Sequence, residues 1–139
     1  MKTFYHCLIM WVPFIVLFAL AGYGVEAIEG NKIRTSEYLS LGIGFYVFIM
    51  CSVAFVFYLV SFLPLTFVVN KFVNALLVKG IIFTFSGGVI GAIAFGKIYE
   101  ARFIEEYNLN IMSAVSIFSL AGLLYALVDH AVRRNIKFV

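Results

Sequence analysis

The chain alternates between long apolar stretches and short polar segments. Four of the apolar stretches have about the length, roughly 20 residues, that a helix needs to cross the hydrocarbon core of a bilayer. These stretches are residues 8–25, 39–62, 80–98 and 109–128. The pattern predicts an all-α membrane protein with four transmembrane helices in a compact bundle, forming a single integral membrane domain over residues 1–139.

The first apolar stretch has two interpretations, a secretory signal and a retained span. Val25 and Ala27 place small residues where signal peptidase cleaves. However, the apolar run is about 17 residues or longer, which is long for a signal core and sufficient to cross a bilayer. Trp11 near its start suits an interfacial anchor, and Pro13 suits a first turn. We therefore expect a retained first span.

Pro64 interrupts an uncharged run that extends over residues 38–69 and is too long for one upright span. We expect the second span to end near this proline, because proline disfavours helix at the preceding residue. Polar residues then return at four-residue spacing, namely Thr66, Asn70 and Asn74. Residues 65–79 are predicted to form a short amphipathic segment between helices 2 and 3, lying along the interface as a connector or, less simply, as a gate. The competing arrangement is one long second helix that runs to Asn70.

Small residues form one face of the third predicted span. They are Thr84, Gly87, Gly88, Gly91, Ala92 and Gly96. In water each glycine would cost about 1 kcal/mol relative to alanine in a helix, whereas in lipid small residues let two helix backbones approach closely. We predict a helix-packing face. A pore lined by bare backbone is the competing hypothesis.

A second narrow face in the fourth predicted span complements the glycine face. Its small residues recur every three positions, at Ser113, Ser116, Ser119 and Gly122. This face is expected to lie against the third span, with the hydroxyls bonding to helix carbonyls or across the interface. A serine nucleophile would need a base within hydrogen-bond reach, and residues 109–128 contain none.

Composition supports the membrane assignment. The chain is 64% hydrophobic and 12% charged, with a mean hydropathy of +1.07, whereas soluble domains have roughly 25% charged residues. The sequence has no basic stripe for nucleic acid, so the expected surroundings are the lipid bilayer, with no nucleic acid partner. Cys7 and Cys51 lie in apolar stretches and are interpreted as small hydrophobic residues.

Lysine and arginine are distributed unequally between the two sides of the predicted bundle. One side carries Lys2, Lys71, Lys79, Arg133, Arg134 and Lys137. The other side carries Lys32, Arg34, Lys97 and Arg102. The positive-inside rule then places both termini in the cytoplasm, in a bacterial plasma membrane, with the loops 26–38 and 99–108 outside. The interfacial residues of the first set would face anionic lipid headgroups.

Few residues suggest chemistry. His6, Cys7, Asp129 and His130 fall near the same predicted ends of the first and fourth spans, but their spacing matches no zinc or copper site. His130 beside Asp129 could sense pH, although a polar stop at the membrane surface is the favoured interpretation. No charged residue falls in the middle of any of the four predicted spans. Because coupled transporters usually place an acid, a base or a histidine there, we expect neither such a transporter nor an enzyme, and no cofactor or metal.

Two functions remain as hypotheses. In the first, the protein is a non-enzymatic membrane component that acts through helix–helix contact with itself or with a membrane protein partner, as an accessory subunit or an immunity-type protein does. In the second, an oligomer forms a passive channel or small-solute pathway along the glycine and serine faces. The first is favoured because the spans are almost entirely apolar and aromatic, with 16 phenylalanines in the chain. A water-filled pore usually has a clearer polar stripe.

Overall fold

The computed structural model of the chain describes residues 2–32 and 43–136. Within those ranges the regular structure is entirely helical. The α-helices are α1 (Lys2–Ile9), α2 (Trp11–Ile28), α3 (Ile43–Phe57), α4 (Leu63–Phe72), α5 (Leu76–Ile98), α6 (Ala101–Glu106) and α7 (Ile111–Ile136). A 3-10 turn at Gly30–Lys32 follows α2, and a π-helical turn at Tyr58–Phe62 joins α3 to α4.

These helices form four spans that are long and apolar enough to cross a membrane. The first span is Lys2–Lys32, the second Phe48–Phe72, the third Leu76–Ile98 and the fourth Ile111–Ile136. The predicted fold class, four long apolar helices packed together, is confirmed. The chain is therefore a multi-pass membrane protein whose outer surface contacts bilayer lipid.

Two prolines shape the first two spans without ending them. Pro13 has no N–H to bond to the carbonyl of Ile9, and α1 gives way to α2 at that point, while Met10 and Phe14 keep their own backbone bonds across the junction. Pro64 follows the π-helical turn, in which the N–H of Leu63 bonds to the carbonyl of Tyr58. Such a widened turn accommodates a proline inside a membrane helix.

Contrary to expectation, the second span therefore does not end at Pro64. The second span continues to Phe72, and the chain turns only at residues 73–75, where Val73 and Ala75 are extended. Residues 65–79 are divided between the end of the second span and the start of the third. The competing arrangement, a long second helix reaching Asn70, is the one observed.

Aromatic rings fill the centre of the bundle. Phe14 of the first span lies 4.7 Å from Phe62 of the second, measured between ring centroids. Tyr125 of the fourth span lies 5.3 Å from Phe62 and 5.0 Å from Phe83 of the third. All four rings are buried. Such pairs contribute about 0.5–1.5 kcal/mol each beyond the area that they bury, so this cluster ties the four spans together in the interior of the bundle.

The third and fourth spans touch along their backbones. A Cβ added at Gly87 would collide with the carbonyl oxygen of Phe118, and one added at Gly122 would collide with that of Phe83. At Gly91 an added Cβ would lie 2.7 Å from the carbonyl oxygen of Ala114. Only glycine permits this approach, which is typical of helix packing driven by dispersion in lipid.

Candidate functional site

Each of the four spans contributes one buried polar side chain to the same end of the bundle. Their exposed fractions are at most 5%. They are His6 of the first span, Asn70 of the second, Lys79 of the third and Asp129 of the fourth. Together with half-buried Arg133 they form a cluster that we call the ionic network.

Asp129 is the centre of the ionic network. Its Oδ1 accepts hydrogen bonds from His6 Nε2 at 2.7 Å and from Asn70 Nδ2 at 3.0 Å, and its Oδ2 pairs with Lys79 Nζ at 3.1 Å. The side-chain oxygen Oδ1 of Asn70 accepts hydrogen bonds from Lys79 Nζ and, at 3.2 Å, from Arg133 Nη1. A buried carboxylate is tolerated only when it is paired and hydrogen-bonded, and here both of its oxygens are.

Local backbone geometry brings Asn70 and Lys79 together. The extended residues 73–75 reverse the chain between the second and third spans, so that the end of one helix faces the first turn of the next. On the fourth span, Asp129 lies one helical turn beyond Tyr125 and on the same buried face. The network thus joins the ends of helices that the aromatic cluster already holds together in the interior of the bundle.

Two further hydrogen bonds lie between the ionic network and the aromatic cluster. Thr66 Oγ1 is 2.8 Å from the hydroxyl of Tyr125, and both groups are buried. The Tyr58 hydroxyl donates a hydrogen bond to the backbone carbonyl oxygen of Cys7, which lies in α1. Buried hydroxyls need such partners in a low-dielectric interior. The Tyr125 side chain thus connects the two regions, because its hydroxyl bonds to Thr66 while its ring packs against Phe62 and Phe83.

A second buried carboxylate lies at the opposite end of the bundle. Glu29 is 1% exposed, and it accepts hydrogen bonds from Lys32 at 2.7 Å, from Ser113 Oγ at 2.5 Å and from the backbone N–H of Asn110 at 3.0 Å. Because the fourth span begins at Ile111, this carboxylate sits against a helix N-terminus, where a negative charge is favourable. Glu29 thus ties the end of the first span to the start of the fourth.

An apolar groove of about 830 Å³ runs along the outer side of the contact between the third and fourth spans. Its floor is made of small residues, including Thr84, Gly88 and Ala92 of the third span and Ser119 of the fourth. Large exposed side chains form its edges, among them Leu77, Ile81, Phe85, Leu123 and Leu127. A floor of small residues between bulky edges has the shape that accepts another helix in a membrane.

The small residues singled out from the sequence are thus divided among several surroundings. Gly87, Gly91 and Gly122 lie in the backbone contact, and an added Cβ at Gly88 would be 2.7 Å from Ser119 Oγ. Gly96 has no atom within 4 Å of its added Cβ and is exposed, so it lies outside the contact. Ser113 bonds to Glu29, while Ser116 is exposed.

The basic residues expected at the interface also differ in their placement. Lys71 is exposed, with its Nζ 5.5 Å from the ring centroid of Phe72. Lys79 is instead 1% exposed and belongs to the ionic network, as does Arg133. Arg134 is exposed. Lys137 lies outside the described residues, as do Arg34 and positions 39–42 of the predicted second span.

The four residues considered for a metal site are only partly brought together. His6 and Asp129 are bonded to each other, Cys7 is buried beside them, and His130 is half-buried. Within residues 2–32 and 43–136, no three His, Cys, Asp or Glu side chains form a group that could hold a metal ion. Asp129 is more than a polar stop at the membrane surface, because it bonds to side chains of the three other spans.

Sequence reasoning missed the ionic network because all four of its buried side chains lie outside the predicted spans. Lys79 precedes the predicted third span and Asp129 follows the predicted fourth, whereas both helices continue past them. A usable signal was present in the second span. Tyr58, Phe62, Thr66 and Asn70 follow one another at four-residue spacing, and all four are buried. That row indicates an inward face that includes the two polar residues.

Comparisons of the chain with protein-family models, with curated proteins and with solved structures find no match. The function of the protein is therefore inferred from the geometry of its four spans.

Proposed function

We propose that this protein is a non-enzymatic membrane component that acts through helix–helix contact in the bilayer, and that its contact face is the groove between the third and fourth spans. The observation that carries the proposal is the floor of that groove. Thr84, Gly88 and Ala92 are spaced four residues apart along the third span and line the groove, although the same helix already uses Gly87 and Gly91 to pack against the fourth span.

We commit to a second copy of this chain as the occupant. A row of small residues at four-residue spacing is self-complementary, because two identical helices can cross with their small residues facing each other. The edges Ile81, Phe85 and Leu123 are exposed apolar side chains that would pack around the incoming helix. The alternative occupant is a different membrane protein, and the experiment below distinguishes it from a second copy by measuring self-association.

The aromatic centre favours this contact role over a pathway through one chain. Phe14, Phe62, Phe83 and Tyr125 pack with ring centroids 4.7–5.9 Å apart between the two polar ends. Flux of ions or small solutes through liposomes that contain the purified protein would support the channel hypothesis instead.

Self-association in liposomes tests the proposal. Chains labelled with donor and acceptor fluorophores should show energy transfer that rises with the protein-to-lipid ratio. Ala92→Leu fills the groove floor and should weaken association about tenfold, equivalent to roughly 1.4 kcal/mol. Ser116→Leu makes a similar change at an exposed position outside the groove lining and should leave association unchanged. Energy transfer at the random-collision level in the wild type would overturn the second copy as occupant.

For orientation, we infer that the end of the bundle with the ionic network faces the cytoplasm of a bacterial cell. Lys2, Lys71, Lys79, Arg133 and Arg134 all lie at this end, and Asp129 is its only acid among the described residues. The positive-inside rule supports this orientation. Reporter fusions to the C-terminus and to the first loop test this orientation.

A further inference from the structure

Beside the ionic network, the bundle end contains a cavity of about 340 Å³ whose lining is unusual for an apolar protein. Every residue that lines it carries at least one nitrogen donor, and none is acidic or aliphatic. The five residues are Asn74, Lys79, His130, Arg133 and Arg134. They come from three places, the connector after the second span, the start of the third span and the end of the fourth.

We propose that this cavity binds a phosphate group, with Lys79, Arg133 and Arg134 as its cationic contacts. Three cations against the single carboxylate of Asp129 leave this site with a net charge of +2 when its histidines are neutral. Guanidinium groups bind phosphate oxygens through paired N–H donors, and lysine binds them as a point charge. The chemistry of the lining therefore selects a compact anion with several acceptor oxygens.

The donors are only partly used inside the protein. A lysine ammonium has three donors and a guanidinium has five. Lys79 gives two hydrogen bonds to the ionic network, and Arg133 gives one, to Asn70. The network thus fixes the position of both side chains while leaving donors for a ligand. Arg134 is exposed and lines the same cavity, so its donors are accessible to a ligand.

The start of the third span adds to the positive potential. This helix of 23 residues begins at Leu76 with no side-chain cap, and only the N-cap residue Ala75 separates it from the cavity residue Asn74. Its N-terminus carries about half a positive charge. Basic residues at a helix end or on a cytoplasmic face need no further explanation when they are scattered. Neither the helix end nor the cytoplasmic face explains why five donor-bearing side chains converge on one cavity.

The phosphate could belong to a lipid headgroup at the membrane boundary or to a dissolved anion, and two measurements separate these sources. The first measures retention of dioleoyl phosphatidic acid against dioleoyl phosphatidylcholine by the protein in neutral detergent, using native mass spectrometry. The second measures calorimetric binding of inorganic phosphate by the lipid-free protein. Binding in the first measurement alone identifies a headgroup, and binding in the second identifies a dissolved anion. Neither outcome depends on the proposed contact role, because no residue of this cavity lines the groove.

Arg134→Gln is the cleanest variant, since this exposed side chain can be changed without touching the ionic network. Loss of one charged hydrogen-bonding group should weaken binding about tenfold. The combined variant Arg133→Gln/Arg134→Gln should weaken it further. Lys71→Gln removes an exposed cation at the same end that does not line the cavity, and should leave binding unchanged. The proposal is overturned if neither probe binds, or if Lys71→Gln weakens binding as much as Arg134→Gln does.

Discussion

Replacing Asp129 with asparagine removes the charge at the centre of the ionic network while preserving the shape of the side chain. Lys79, which is 1% exposed, would then lose its ion-pair partner inside the bundle. His6 would face an amide in place of a carboxylate oxygen 2.7 Å away. The variant tests whether the network is a true buried ion pair or a set of neutral contacts.

The expected magnitude follows from the position of the network. Removing one partner of a buried pair costs about 3–5 kcal/mol, because a charge remains without compensation. Lys79 lies in the first turn of its helix, which begins at Leu76, so without Asp129 its side chain can partly reach the headgroups and reduce the penalty. We therefore expect Asp129→Asn to lower the free energy of unfolding by about 3 kcal/mol.

Unfolding by sodium dodecyl sulfate in maltoside micelles measures this change. Trp11, the only tryptophan, lies 4.1 Å from the Phe55 ring and reports separation of the first two spans by its fluorescence. The matched control is the double variant Lys79→Met/Asp129→Leu, which removes both charges of the pair. It should be less destabilised than Asp129→Asn, because no buried charge is left unpaired, although His6 and Asn70 lose their acceptor. Stability of Asp129→Asn within about 0.5 kcal/mol of the wild type would refute the argument for a buried ion pair.

Three further results are expected. Gly91→Leu should lower the unfolding free energy by about 1–3 kcal/mol through overpacking against Ala114. Gly96→Leu should change it little, because no atom lies within 4 Å of its added Cβ. Equal effects of the two variants would contradict this packing face. Glu29→Gln should cost about 1–3 kcal/mol in the same assay, because it weakens charge-assisted bonds to three donors, and an unchanged midpoint would argue against that carboxylate as a tie. Reporter fusions after residue 139 and within residues 28–36 should report opposite compartments, and agreement between them would reject the four-span topology.

The amino-acid sequence alone was sufficient for the fold class. Four apolar stretches of span length admit only helices in a bilayer, because every backbone N–H and C=O must be satisfied within its own segment. The closely packed face of the third span could also be predicted, since small residues such as Gly87 and Gly91 let helix backbones approach closely in lipid. Both inferences depend on local composition and spacing.

The limits of the helices and the direction of their polar residues depended on the tertiary structure. From hydropathy, the third span was predicted to begin just after Lys79 and the fourth to end just before Asp129, because an isolated charge in lipid is unfavourable. The folded bundle extends both helices past these residues, because each charge meets its partner 3.1 Å away on the other helix. Pro64 is tolerated for a similar reason, since a π-helical turn absorbs it while Thr66 and Asn70 find partners on the fourth span. Whether a polar group ends a span or lies inside the bundle depends on which groups on other helices reach it, and that information is not local in the sequence.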